Sequence, residues 1–253
     1  MARIYTPEGD KETPVIDQDR IKHFFLERAD KLKRGDVSYK QAIIYQDKSG
    51  DLAEERDFVE KSLLLPKLKL TQDDRLLDVG CGTGRWAEAV ADSVGHYHGA
   101  DLVEELLEEA KNRIPSERAR FSCLPCTDIS FSNLNETLPF GKIIIFGVFM
   151  YLNDVDIPKA LGGISAVADK SCTLLLREPI GVESRLTIKE HFSGDMDQFY
   201  SAIYRTEGEL ISVCMDVLGP AGFRLEESAD VFANAAHNNR IETKQKYFLF
   251  KRN

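Results

Sequence analysis

Apolar positions along the chain form short, dense runs that alternate with stretches of helical periodicity from about residue 71 onward. Five runs predict strands: residues 75–80, 97–101, 120–124, 142–147 and 173–177. The stretches between them, such as 86–94 and 103–113, place their apolar residues on one helix face. Strands that alternate with helices predict a mostly parallel sheet covered on both faces, which is a doubly wound α/β fold.

The two ends of the chain add a hairpin and a helical cap to this core. Residues 223–226 and 246–251 predict two last strands, paired as a C-terminal β-hairpin, which brings the sheet to seven strands. Residues 1–15 are polar and predict an arm, and helices are predicted from Asp17 and over about 52–65, where Pro66 disturbs the end. We therefore expect one domain over 1–253, with a cap at 1–70 and a core at 71–253.

A long insertion follows the fifth strand. Residues 181–206 precede a helix that a capping box opens at Thr206 and that ends before Gly219 and Pro220. The insertion is rich in tyrosine, histidine and arginine, and a long connection at the ligand edge of a sheet predicts a cover over the substrate. Tyr200 and Tyr204 are four residues apart, so they would share a face if this segment were helical.

Composition and charge narrow the class of partner. The chain is 43% hydrophobic and 30% charged, which suits a globular core, and its net charge of −9 disfavours nucleic acid as the main partner. The N-terminus shows no apolar signal segment, and the longest apolar stretch, 143–152, is too short to span a bilayer. We expect a cytoplasmic protein with no membrane partner and with five reduced cysteines. Cys123 and Cys126 have no second cysteine pair, so we interpret them as a strand end and not as a zinc site.

Residues 76–86 hold the most informative motif, a buried strand that runs into Gly80, Gly82 and Gly84 and then into a helix. Glycines let the backbone turn sharply and let a ligand approach it closely. The N–H groups at the start of the following helix then face that ligand.

Two acids define the ligand further. Asp101 ends the next strand, where a carboxylate can accept both hydroxyls of an adenosine ribose. The glycine spacing is G-x-G-x-G, and Asp78 lies two residues before the first glycine, where it would repel a pyrophosphate and attract a sulfonium or an amino group. The pattern favours S-adenosylmethionine (SAM) over a nicotinamide dinucleotide, and an NAD(P)-dependent oxidoreductase stays as an alternative.

Residues 76–86 resemble the first motif of the class I SAM-dependent methyltransferases, and Asp101 matches the ribose-binding acid of that family. Residues 143–152, which include Gly147, are similar to the segment that lines the methyl-transfer centre. The resemblance covers about residues 56–251. It implies a Rossmann-like fold, SAM as cofactor, a backbone cradle from Gly80 to Gly84 around the methionine part, with Cys81 inside it, and Leu102 packed on the adenine.

The chain departs from the family pattern after the third strand. Pro125 stands where the family usually has an Asp that contacts the adenine amino group. We expect Thr127 or Asp128 to replace it, or a backbone contact at Cys126. Arg56 on the second cap helix is a candidate partner for the SAM carboxylate, with simple solvation as the alternative.

Candidates for the acceptor side follow the later strands, because ligands of open α/β sheets gather at the carboxyl ends of the strands. These candidates are Tyr151, Glu178, His191, Tyr204 and Arg205. For each a structural role is the alternative, such as an ion pair between Arg177 and Glu178. Arg177 and Arg205 leave room for an anionic acceptor.

No metal site is predicted. Asn153, Asp154 and Asp156 fit a turn that opens a helix near Pro158, and His96 and His98 receive no functional role. We predict transfer of a methyl group from SAM to an oxygen or nitrogen of a small molecule such as a metabolite, a sugar, or a natural-product or cell-surface intermediate. A non-catalytic SAM-binding regulator is the main alternative, and methylation of protein or RNA is disfavoured. The sequence leaves a homodimer open.

Overall fold

The computed structural model describes residues 3–5, 14–44, 50–114, 117, 119–194, 196–238 and 240–253. Seven strands form the main sheet: β2 (Arg75–Val79), β3 (His96–Asp101), β4 (Ala119–Cys123), β5 (Phe140–Phe146), β6 (Ala168–Gly181), β9 (Arg224–Asp230) and β10 (Thr243–Arg252). Their order is β4-β3-β2-β5-β6-β10-β9. The first five strands are parallel, and β10 runs antiparallel to both β6 and β9. The predicted mostly parallel sheet with a C-terminal hairpin is confirmed.

Helices cover both faces of this sheet. They are α1 (Gln18–Lys33), α2 (Tyr39–Ile43), α3 (Asp51–Leu68), α4 (Ala87–Val90), α5 (Glu104–Arg113), α6 (Asp156–Val167) and α7 (Glu207–Leu218). One apolar cluster packs α6 and α7 on one face, and a second packs α3 and α4 on the other. Helix α7 begins with the predicted capping box, in which Thr206 and Glu209 satisfy each other's backbone N–H groups.

The N-terminal region differs from the sequence prediction in three places. Most of the predicted arm lies outside the described residues, but Arg3–Tyr5 forms strand β1. Helix α2 was not predicted, because its five residues are too few to show a period. Pro66 does not end α3, which continues to Leu68. A proline in the last turn removes a single helical hydrogen bond, and the complete burial of Leu64 and Leu68 outweighs that loss.

The insertion at 181–206 is a β-hairpin and not a loop. Strands β7 (Leu186–Ser193) and β8 (Gln198–Tyr204) pair antiparallel, and β1 pairs with β7 to complete a separate three-stranded sheet. Glu190 has a left-handed φ of 52°, and the strand register shifts between Ile188 and His191. This bulge breaks the alternation of apolar residues that would have revealed a strand. The tyrosines of β8 still share a face, because an even spacing on a strand has the same effect as a four-residue spacing on a helix.

Candidate functional site

A cavity of about 510 Å³ opens at the carboxyl ends of the parallel strands. Its floor lies between β2 and β5, where the strand order reverses, which is where open α/β sheets bind ligands. Its walls come from α1, α2 and α3, from the ends of β6 and β8, and from the start of β10. Cap, core and hairpin therefore all contribute to one enclosure.

The glycine turn forms one side of this cavity. Gly80 and Gly82 have φ angles of +75° and +53°, in the left-handed region that favours glycine. A Cβ at Gly80 would overlap the side chain of Val148, and a Cβ at Gly82 would lie 2.9 Å from Cγ2 of Ile43. Both glycines and Cys81 line the cavity, so the turn offers bare backbone to a ligand.

Gly84 has a different role from its two neighbours. It lies outside the cavity wall, and a Cβ there would come within 3.0 Å of the Cβ of Ala110 on α5. This glycine lets the turn pack against a helix, while Leu102 and Gly147 do line the cavity.

Asp101 lies at the end of β3 and on the cavity wall. One carboxylate oxygen accepts the N–H of Gly82 at 2.9 Å, and the other accepts the N–H of Val103 at 3.0 Å. Burial raises the pKa of Asp101, and these backbone N–H groups oppose the rise. The carboxylate is thus fixed beside the glycine turn with acceptor capacity left for ribose hydroxyls.

Asp78 is a buried acid without an ion pair among the described residues, only 3% exposed. It accepts a hydrogen bond of 2.7 Å from the hydroxyl of Tyr97. Burial raises its pKa to about 7. A carboxyl of this kind on a cavity wall fits a cationic ligand group, such as the ammonium or sulfonium of SAM.

Binding of S-adenosylhomocysteine, which keeps the amino group of SAM, is expected to release a proton from Asp78 near pH 7. The ammonium lowers the pKa of the acid in the complex, so affinity should fall as the pH drops below about 7, by at most tenfold per pH unit. Calorimetry in buffers of different ionisation enthalpy measures the released proton, and Asp78→Asn should abolish the release. A proton count of zero in the wild type between pH 6 and 7 would contradict this assignment.

The other cofactor candidates separate into two groups. Thr127 and Arg56 line the cavity, and the Nε of Arg56 also donates to the carbonyl of His237 at 2.8 Å. Asp128 does not line it, and its carboxylate lies 3.2 Å from the Nζ of Lys159. Of the two residues, we keep Thr127 as the candidate for the adenine contact.

A buried charged network joins the cap to the glycine motif and was not predicted. The guanidinium of Arg85 lies 2.7 Å from Asp57 and 2.6 Å from Glu60. Glu60 also accepts the indole N–H of Trp86 at 3.0 Å and lies 2.8 Å from the Nε of Arg177. Burial opposes ionisation of Glu60, but the two guanidiniums hold its pKa below the ordinary value. A glutamate within the apolar face of α3 was the signal that could have revealed this network.

The turn after β5 is held from behind by Glu178. The buried carboxylate accepts the N–H groups of Val148, Phe149 and Met150 at 2.8, 2.8 and 3.1 Å. Burial raises the pKa of Glu178 to about 7, and these three bonds oppose the rise. Glu178 is not on the cavity wall, whereas Tyr151 at the end of the same turn is. We therefore infer that Glu178 positions this turn and no longer expect it to contact the acceptor, and no salt bridge joins it to Arg177 among the described residues.

Replacing Glu178 with alanine is expected to lower the free energy of unfolding by about 3 kcal/mol, because three buried N–H groups lose their acceptor. Glu178→Gln keeps one acceptor oxygen and should lose less. Urea denaturation measures both changes, with Glu226→Ala on the exposed side of β9 as the control. A loss below about 1 kcal/mol for Glu178→Ala would show that the turn does not depend on this carboxylate.

Three predicted acceptor residues lie in the insertion at 181–206, namely His191, Tyr204 and Arg205. Only Tyr204 lines the cavity. His191 lies on β7 with its ring against Tyr200, and burial lowers its pKa. Arg205 donates to the carbonyls of Phe149 and Leu152 at 2.9 and 2.8 Å and forms an ion pair with Asp154. These contacts hold the segment after β5, so we no longer expect His191 or Arg205 to contact the acceptor.

His96 and His98 do have a structural partner. Both rings hydrogen-bond one carboxylate oxygen of Glu136, at 2.7 and 2.8 Å, and the ligand atoms of this trio lie within 4.8 Å of one another. Arg75 bonds the other oxygen at 2.5 Å, and Arg120 lies 4.0 Å away. Two guanidiniums disfavour a bound cation, and the contacts tie the loop before β5 to the amino edge of the sheet. None of these residues lines the cavity.

Comparison with known sequences identifies the domain. Residues 76–170 match the family model of a methyltransferase domain, and no curated protein matches the chain. The matched segment contains the glycine turn, Asp101 and the turn after β5. Within the described residues, no helix has the length and apolar character needed to cross a membrane.

Solved structures of methyltransferases share the fold. Phosphoethanolamine N-methyltransferase 1 of Haemonchus contortus, in complex with phosphoethanolamine and S-adenosylhomocysteine, is 14% identical with a TM-score of 0.69, over 92% of this chain and 48% of that chain. Magnesium protoporphyrin IX methyltransferase of Synechocystis with bound SAM is 14% identical with a TM-score of 0.59, over 96% and 100%. A SAM-dependent methyltransferase of Leishmania major is 15% identical with a TM-score of 0.62, over 92% and 85%. The chain thus spans about half the length of the Haemonchus protein. Residues 76–170 thus carry a methyltransferase domain, and the sheet order and the solved structures show that the chain has the Rossmann-like fold of SAM-dependent methyltransferases.

Proposed function

We propose that the protein transfers a methyl group from SAM to an oxygen or nitrogen of a small-molecule acceptor. The observation that carries the proposal is one cavity of about 510 Å³ that is lined both by the glycine turn and by Tyr204 at the end of β8. This volume lies in the range of small-ligand sites. Residues of α1, the end of β8 and the start of β10 line the part of the wall away from the glycine turn.

On the donor side we propose that the chain binds SAM through the walls described above. SAM supplies an electrophilic methyl group on a positively charged sulfur. Asp101 accepts the ribose hydroxyls, Leu102 packs on the adenine, and Thr127 bonds the adenine edge. Asp78 attracts the ammonium group, and the bare backbone at Gly82 allows close approach. Gly80, Cys81 and Gly147 complete this wall, with Arg56 as the candidate for the carboxylate.

On the acceptor side we propose Tyr151 and Tyr204 as the residues that face the reacting atoms. Both line the cavity and are almost fully buried, at 6% and 5% exposure. The Tyr151 hydroxyl has no hydrogen-bond partner within the described part of the chain, while its ring packs against Phe25 of α1 at 5.1 Å. Methyl transfer depends mainly on alignment and on exclusion of water, and rigid aromatic walls serve both.

The test is methyl transfer from labelled SAM to a cell extract depleted of macromolecules by ultrafiltration. We expect label in a small-molecule product with the wild type and none with Asp101→Ala. Label that appears only when the macromolecular fraction is restored would contradict the proposal. Tight SAM binding without transfer to either fraction would favour a regulator.

The free thiols of the five cysteines agree with our further proposal of a cytoplasmic location.

A further inference from the structure

We propose that the acceptor is an anion and that Arg177 binds its oxyanion group, a carboxylate or a phosphoryl or phosphonyl group. This inference rests on the proposed function and adds the substrate class. Arg177 lies on the cavity wall, and most N–H donors of its guanidinium have no acceptor among the described residues.

Arg177 lies on the cavity wall beside the turn after β5. On β6 it pairs in register with Phe146, the last residue of β5. Its Nη1 lies 3.0 Å from where a Cβ on Gly147 would be, and its backbone carbonyl accepts the N–H of Gly147 at 2.7 Å. The guanidinium therefore lies beside the turn that carries Tyr151, on the side of the cavity closed by β10.

The guanidinium of Arg177 donates few hydrogen bonds for a group that is mostly buried. A guanidinium offers five N–H donors. Arg177, with a side chain 12% exposed, makes one long hydrogen bond of 3.4 Å to the Oε1 of Gln245, and its Nε lies 2.8 Å from Glu60 without hydrogen-bond geometry. The Cζ atom of Arg177 also lies 5.6 Å from the centre of the Phe146 ring. No other bond from this group reaches a described residue, and unfilled buried donors are costly unless a ligand fills them.

The charge around Arg177 is only partly neutralised. Glu60 divides its carboxylate among Arg177, Arg85 and the indole of Trp86. Arg85 bonds a carboxylate with each of its two terminal nitrogens, Asp57 with one and Glu60 with the other. A planar oxyanion could bond Arg177 in the bidentate geometry for which a guanidinium is suited.

An anionic acceptor also suits the rest of the wall. The described residues that line the cavity include no histidine. Of the five acids on the wall, Asp78 and Asp101 belong to the donor side, and Glu60 is paired with Arg85 and Arg177. The other two, Asp19 and Asp156, are exposed and half-buried. An oxyanion arrives without a proton on its nucleophilic oxygen. That oxygen forms the new bond to the methyl carbon, the carbon–sulfur bond breaks, and its electron pair stays on sulfur. No base is required, and Arg177 can hold one oxygen of the group while another attacks.

Binding of small probes to the complex with S-adenosylhomocysteine tests the inference directly. Phenylphosphonate and benzoate are the anionic probes, with benzyl alcohol and benzylamine as the neutral and cationic controls. We expect calorimetry to show the anionic probes binding at least tenfold more tightly, and Arg177→Met to remove that preference. Arg177→Lys should keep part of the preference for anionic probes, since the positive charge remains but the paired N–H donors of the guanidinium are lost. Arg120→Met, at the opposite edge of the sheet, should keep all of it.

Affinity for S-adenosylhomocysteine separates the outcomes. We expect Arg177→Met to bind it within about twofold of the wild type, which also shows that the variant folds. A tenfold loss would place Arg177 in the cofactor site and overturn the inference, as would equal or absent binding of the anionic and control probes to the wild type.

A second experiment distinguishes this inference from the proposed function. The small-molecule extract is divided on an anion exchanger before the labelled transfer assay. Label in the retained fraction supports an anionic acceptor. Label only in the flow-through fraction overturns the inference and leaves the proposed function intact, whereas no label in any fraction overturns both.

Discussion

Asp101→Ala is expected to weaken binding of S-adenosylhomocysteine by about 2–4 kcal/mol, since two charge-assisted hydrogen bonds to the ribose vanish. The loss corresponds to roughly 30- to 1000-fold in the dissociation constant. The carboxylate also accepts the N–H of Gly82, so the substitution releases the glycine turn as well. Calorimetry at pH 7.5 measures the change.

Two comparisons make the Asp101 result specific. Asp101→Asn keeps the size and one acceptor oxygen, so its loss should be smaller than that of alanine. The alanine variant should remain folded at the temperature of the titration, but its thermal unfolding midpoint should fall, because the N–H groups of Gly82 and Val103 lose their acceptor. An affinity for S-adenosylhomocysteine within twofold of the wild type in Asp101→Ala would remove Asp101 from the ribose site.

Gly82→Val is expected to abolish measurable cofactor binding. The residue has a φ of +53°, which a β-branched side chain disfavours strongly, and its Cβ would lie 2.9 Å from the side chain of Ile43. Ile43 also lines the cavity, so a shift of its side chain would alter the wall beside the turn. Equilibrium dialysis with labelled S-adenosylhomocysteine provides the measurement.

The control for Gly82 is another glycine of the same chain. A Cβ added to Gly162 on α6 would have no atom within 4 Å, so Gly162→Ala should bind the cofactor normally. If Gly82→Val bound S-adenosylhomocysteine as the wild type does, the turn would not touch the ligand and the donor side would have to be sought elsewhere on the wall.

The residues that we propose for the donor half could be identified from the sequence because their signals are local. The strand, the glycines and the turn into α4 are consecutive, and Asp101 follows at the end of the very next strand. The backbone geometry that glycine allows is a property of a few neighbouring residues, so a motif can encode it. The buried strands were predictable for the same reason, since a dense apolar run needs no knowledge of its partner.

The acceptor half could not be predicted, because its residues act through distant partners. From the sequence we expected Arg205 to contact a ligand. Its guanidinium instead donates to the carbonyls of Phe149 and Leu152, which lie about 50 residues earlier in the chain. Glu178 looked catalytic, yet it accepts three N–H groups from the turn after β5. Residue type and strand-end position are the same for a structural and a functional side chain, and only tertiary contacts separate them.

The shared carboxylate of Glu60 has a thermodynamic consequence for the two ligands. It touches Arg85, which belongs to the glycine motif, and Arg177, which we assign to the acceptor. An anion that draws Arg177 away leaves Glu60 more fully to Arg85, and a change at the glycine turn alters the charge that Arg177 feels. Donor and acceptor affinities then form a reciprocal pair, in which each ligand changes the affinity of the other by the same factor. Such heterotropic coupling would appear as a change in the affinity for the anion when S-adenosylhomocysteine is bound.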